Sequence, residues 1–144
     1  MNKARNNYLM QLADNALRGT KALFKKDSSS DIDASYNGQI ASLGVTIALS
    51  GLRPALAIYY QDSNSGSGSK VNRRAILEVI AEMIKNDKGR DLENANDADF
   101  IDAKTFLTYS LRRDLTSIGL KKLSREVEDC TIALKQVVRT YNLV

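Results

Sequence analysis

Histidine and tryptophan are absent from the 144 residues, and cysteine and proline occur once each. Without histidine there is no imidazole general base, no Ser–His or Cys–His nucleophile pair, and no donor for most zinc sites. The single cysteine, Cys130, excludes an intrachain disulfide, which fits a reducing, cytoplasmic setting. At a helical core position such a thiol reads as a small hydrophobe. One proline, together with abundant Ala, Leu, Lys, Arg and Glu, favours helix over sheet.

Long apolar runs are also scarce. The longest is SLGVTIALSGLRPALAIYY, residues 42–60, and Arg53-Pro54 interrupts it after about a dozen residues, short of the ~20 that a membrane span needs. A central Arg is costly in lipid, so the run reads as two core helices meeting at a corner, with no membrane role. The stretch MNKARNNYLMQLADNALRG lacks the apolar centre of a signal peptide and reads as the first helix of the fold.

What is present suits one domain over residues 1–144, with 43% apolar and 26% charged residues. Leu9, Leu12, Ala16, Gly19 and Leu23 alternate steps of three and four, predicting a helix over 3–24. KKDSSSDIDAS, residues 25–35, is a polar loop able to cap the next helix, whose stripe is Tyr36, Ile40, Leu43 and Ile47. Beside that stripe, Gly44 and Ala48 permit close approach of a neighbouring helix. Gly51 suits a left-handed residue after the helix end. Pro54 suits the first position of the following helix, with Arg53 extended before it and Leu56, Tyr59 and Tyr60 on it. Residues 62–70 are Ser/Gly-rich and predict a flexible loop. Ile76, Ile80, Met83 and Ile84 predict a helix over about 71–85. An acidic connector over 86–99 follows, in which Asp97 or Asp99 can cap a helix from Phe100 to Leu111. Leu120, Leu123, Val127, Cys130, Leu134, Val137 and Tyr141 predict the last helix, Leu120–Tyr141. Nothing alternates with period two, so the expected fold is an all-α bundle of about five or six helices.

Charge is uneven along the chain. Residues 76–103 hold eight acids and three bases, whereas 104–144 hold eight bases and four acids, within an overall net charge of +4. The acids Asp97, Asp99 and Asp102 fail the EF-hand test, because no Gly and Glu fall at loop positions 6 and 12. No Gly-rich phosphate loop is present either, so neither a cofactor nor a small-molecule substrate is indicated and catalysis is not expected. At 100° per residue, Lys121, Arg125, Lys135 and Arg139 fall within an arc of roughly 80° on the last helix, opposite Val127, Leu134 and Tyr141. Such an arc can track phosphates, although Glu128 shares it. Arg53 and the pair Arg73–Arg74 are further cationic candidates for RNA contact. Tyr59, Tyr60 and Tyr109 could stack on bases, but aromatic residues at helical spacing more often pack in a core.

Two segments carry a family resemblance. The first runs through Tyr36, Ile40, Leu43 and Ile47 to Ser50-Gly51-Leu52 and Ala55-Leu56-Ala57-Ile58-Tyr59; the second is REVEDCTIALKQVVRTY, with Glu128, Ala133, Leu134 and Arg139. In these segments the chain resembles the small helical subunit of the type III-B CRISPR (Cmr) RNA-targeting complex. The resemblance implies a non-catalytic subunit in antiviral defence, stacked with copies of itself and other effector subunits along guide and target RNA. It also implies contact with the RNA backbone through basic surfaces, with cleavage belonging to a neighbouring subunit. The alternative is a helical protein–protein adaptor with no nucleic-acid role.

Overall fold

The computed structural model describes residues 1–61 and 72–144; the loop expected at 62–70 lies outside them. The described residues form an all-α fold of six helices: α1 (Lys3–Thr20), α2 (Ser35–Ser50), α3 (Leu52–Gln61), α4 (Arg73–Asn86), α5 (Ala103–Ser110) and α6 (Ser117–Val138). A single 3-10 turn at Asp97–Phe100 precedes α5. Two-residue strands, β1 (Asp31–Ile32) and β2 (Asn142–Leu143), pair in parallel and tie the loop after α1 to the C-terminal tail. The periodicity of two residues is too brief to show in a sequence. No described helix is long and apolar enough to cross a membrane.

Local chemistry sets the helix boundaries and moves several from their expected places. α1 ends at Thr20 because Lys21 turns left-handed (φ 55°) and donates its N–H to the Leu17 carbonyl, so Leu23 reaches the core from the loop. The 42–60 run does break into two core helices. Gly51 adopts φ 91°, ψ 165°, a region open almost only to glycine. α3 starts directly at Leu52, two residues before Pro54. Arg53 is therefore helical rather than extended, and the Pro54 ring opposes only the carbonyl of Ser50, which lies before the corner. Asp102, not Asp97 or Asp99, caps α5: its carboxylate accepts from the Thr105 N–H at 2.8 Å while Thr105 Oγ1 accepts from the Asp102 N–H. Asp99 instead closes a reciprocal cap with Asn96 on the 3-10 turn. α6 begins at Ser117, where Thr116 caps it, and ends at Val138, leaving Tyr141 beyond it.

α4 and α6 are the central helices. α6 packs on α1, α2 and α4, while α4 also meets α3 and α5. One contiguous cluster of buried side chains joins all six helices, and Cys130 lies within it as expected. Gly44 faces α6, where a Cβ would sit 3.9 Å from Thr131, so the α2–α6 approach is close, whereas Ala48 points outward. Tyr59 and Tyr109 are core residues that donate hydroxyl hydrogens to the Gln39 and Glu93 carbonyls at 2.7 and 2.6 Å.

Candidate nucleic-acid interface

α6 runs unbroken from a capped start to Val138, so the arc inferred from helical spacing lies on one helix face, with Arg139 at its C-cap. Lys121, Arg125 and Arg139 are exposed and Lys135 is half-buried. Eighteen residues separate the outer two, a rise of about 27 Å. Among the described residues none of these four cations joins an ion pair. Arg139 alone is engaged, donating from Nε to the Asn37 side-chain oxygen at 3.3 Å. By contrast Arg5, Arg18, Lys85, Arg90, Arg112 and Lys122 all hold carboxylates. Glu128 is exposed within the arc and accepts from the Ser124 hydroxyl at 3.1 Å. Ile132, 48% exposed, lies between Glu128 and Lys135.

The other three candidate cations are half-buried and engaged by neighbouring groups of the fold. Arg53 donates from Nε to the Ser110 carbonyl at 2.7 Å and reaches the Arg112 carbonyl at 3.4 Å. It thereby satisfies backbone oxygens left over at the C-terminus of α5. Arg73 stands 4.7 Å from the Tyr59 ring centre. Arg74 covers the Tyr60 ring at 4.0 Å and donates to the Tyr60 carbonyl at 2.6 Å. These two close the end of α3 against the start of α4, and they do not join the α6 arc.

The fold also brings two lysines of the first loop near the C-terminal tail. Phe24 packs on Tyr141 with ring centres 5.4 Å apart, and β1–β2 pairing fixes the same loop to the tail. This brings Lys25 and Lys26 to a cavity of about 500 Å³ that they line with Phe24, Asp33 and Tyr36. The cavity lies on the Tyr141 side of the C-terminal tail, and none of its lining residues belongs to the arc. No sequence signal joins the loop after α1 to residues 142–143; the strand pairing does.

A buried polar cluster, also unanticipated, lies beyond the other side of α6. Arg5 Nη1 and Nη2 donate to the two oxygens of Asp87 at 2.9 and 2.6 Å, and Nη2 also donates to Glu126 at 3.0 Å. Asp87 and Glu126 are 1% and 6% exposed. Asp87, assigned by sequence to an exposed connector, is thus an internal anchor between α1, α4 and α6. Burial, reinforced by the neighbouring Asp87, pushes the Glu126 carboxyl up to about 8. Burial alone would raise Asp87 too, but hydrogen bonds from Arg5, Glu126 and the Gly89 amide hold it below its ordinary range. Burial also raises the Cys130 thiol well above its ordinary value, which leaves it a poor nucleophile.

The acidic connector is likewise spent on structure. Glu93 accepts from the Thr116 N–H and hydroxyl at 2.8 and 2.7 Å, and those bonds hold its carboxyl below the usual range. Asp97 pairs with Arg90 at 2.8 Å. Among the described residues no group of three or more acidic or cysteine side chains is placed to hold a metal ion. No family model, no curated protein and no solved structure matches the chain.

Proposed function

We propose that this chain is a non-catalytic RNA-contacting subunit of a type III-B CRISPR ribonucleoprotein, laying the α6 arc along the backbone of target RNA. The observation that carries the reading is the row of four cations, Lys121, Arg125, Lys135 and Arg139, left without ion pairs among the described residues over about 27 Å of one helix. Cations spaced along a rigid helix can neutralise successive phosphates without reading bases, and each contact adds salt-dependent affinity. A subunit that reads charge and shape needs no reactive group in the groove. The family resemblance of Tyr36–Tyr59 and Arg125–Tyr141 supplies the assignment to the type III-B complex, with other effector subunits and further copies of this chain as neighbours.

Binding of a labelled oligouridine RNA, titrated over salt, tests this reading. For single strands the slope of log K against log salt is about −0.7 per phosphate contact. Replacing Lys121, Arg125, Lys135 and Arg139 by Ala should therefore flatten the slope by roughly 3 and weaken binding at low salt. Replacing Arg73 and Arg74 should leave the slope in place. Unchanged binding in the four-cation variant overturns the assignment of this surface.

A further inference from the structure

We infer that the furrow between α2 and α6 is a docking groove for an acidic amphipathic helix of a partner protein. α2 carries no charged residue over its 16 positions, its polar side chains being the uncharged Ser, Thr, Asn, Gln and Tyr. Only one side of α2 is enclosed: Tyr36, Ile40, Leu43 and Ile47 are buried. Ala41, Val45 and Leu49, spaced by four, form a strip on the outer side, with Val45 58% and Leu49 82% exposed. Across from it, α6 presents Ile132 and Thr131. Gly44 lets the two helices approach, and the furrow they leave, about 340 Å³, is floored by Ala41, Gly44, Val45, Thr131 and Ile132.

The chemistry of the furrow selects its occupant. Its floor is aliphatic and contains no aromatic side chain, whereas nucleic-acid bases are held by stacking on aromatic faces. Aliphatic knobs from a helix fit such a groove, with anchors spaced i, i+3, i+4 and i+7. The furrow itself is flanked by one charge of each sign from α6, Lys135 and Glu128; beyond its two ends the same face carries the exposed cations Lys121, Arg125 and Arg139. A symmetric pairing of two copies through this face would bring those outlying cations together. Complementarity therefore favours a helix whose apolar stripe is flanked by Glu or Asp. The inference goes beyond the RNA reading, because it rests on the aliphatic floor, which a phosphate track does not use.

Fluorescence anisotropy with two labelled synthetic helices tests it. Both carry the same Leu stripe at i, i+3, i+4 and i+7; one is flanked by Glu and the other by Lys. The full chain should bind the Glu peptide saturably and at least tenfold more tightly than the Lys peptide. The double variant Val45→Gln/Ile132→Gln should lose at least tenfold of that affinity, and so should Lys135→Ala/Arg139→Ala. Both floor positions are exposed, so the double variant should melt with the wild type, and Leu49→Gln provides an independent second variant. Oligouridine affinity of the floor variants should stay within twofold of wild type. Equal binding of the two peptides, or no saturable binding of either, overturns the inference. So does a floor variant that loses RNA affinity while keeping the peptide, since the floor would then belong to the RNA track. Failure of the RNA reading shows separately, as unaltered oligouridine binding in the four-cation variant, and leaves the peptide result standing.

Discussion

Replacing Arg5 by Leu removes the one cation that faces two buried carboxylates. The Asp87 side chain is fully buried and that of Glu126 is 6% exposed, while Arg5 itself is 24% exposed. Asp87 would keep its Gly89 hydrogen bond but lose both guanidinium contacts. Breaking a buried ion pair from one side costs about 3–5 kcal/mol, a large part of the ~5–15 kcal/mol that holds a domain together. For a chain of this size roughly 3 °C accompanies each kcal/mol, so the melting temperature should fall by about 10–15 °C. Circular dichroism at 222 nm and neutral pH measures it. Glu126→Gln should behave differently, changing stability by less than about 1 kcal/mol, because Glu126 already holds a proton near neutrality. Its neutral replacement still accepts from Arg5.

The pH dependence of the wild type carries the same logic. Between the ordinary carboxyl value of 4.5 and about 8 the folded chain holds a proton on Glu126 that the unfolded chain has lost. Folded binding then exceeds unfolded binding, so this group's contribution makes stability fall as pH rises through that window and level off above it. The slope reaches at most about 1.4 kcal/mol per pH unit and should vanish in Glu126→Gln. Two results refute the reasoning: Glu126→Gln as damaging as Arg5→Leu, or Arg5→Leu costing under 1 kcal/mol.

Three further substitutions probe the other joints. Gly51→Ala forces a Cβ into φ 91°, ψ 165° and should cost about 1–3 kcal/mol in denaturant unfolding with the RNA slope intact. Arg53→Ala should destabilise by about 1–2 kcal/mol through the unpaired Ser110 carbonyl while leaving oligouridine affinity unchanged; a loss of affinity from the folded variant would return Arg53 to the RNA surface. Gly119→Ala places a methyl 2.8 Å from Glu93 Oε1, so Glu93 must leave Thr116 and stability should drop by about 0.5–2 kcal/mol, a typical cap loss. Melting of the Glu93→Ala/Gly119→Ala pair should show little added cost, since the clash and the bond disappear together.

Much of the fold is legible because long helices announce themselves by spacing. α6 shows an apolar position at every step of three or four from Leu120 to Val137, and those positions are the ones that pack. Where one residue decides a boundary, spacing says less. Lys21 stops α1 by turning left-handed, which its type does not signal. Asp97, Asp99 and Asp102 are equally plausible caps by composition. Only the reciprocal bond with Thr105 singles out Asp102, and that depends on where Phe100, Phe106 and Tyr109 come together in the core. Pro54 and Gly51 mark the corner correctly, but Leu52 has a buried seat to fill, and this draws the start of α3 back to the glycine.

The candidate site divides along the same line. Lys121, Arg125 and Lys135 share a surface because they share one regular helix, and Arg139 continues it at the C-cap in helical backbone geometry, so their relation is fixed within 18 residues of chain. Arg53, Arg73 and Arg74 looked equivalent by charge, yet carbonyls and rings of α3 and α5 already engage them, which spacing along the chain does not show. The Arg5–Asp87–Glu126 cluster is the extreme case, joined across 82 and 121 positions. It ties α1 and the end of α4 to the inner side of α6, beside the apolar positions that pack there. If the α6 arc is the proposed RNA track, Arg5→Leu should weaken oligouridine binding by shifting α6, with every surface cation still in the sequence; binding unchanged in a destabilised Arg5→Leu chain refutes the link.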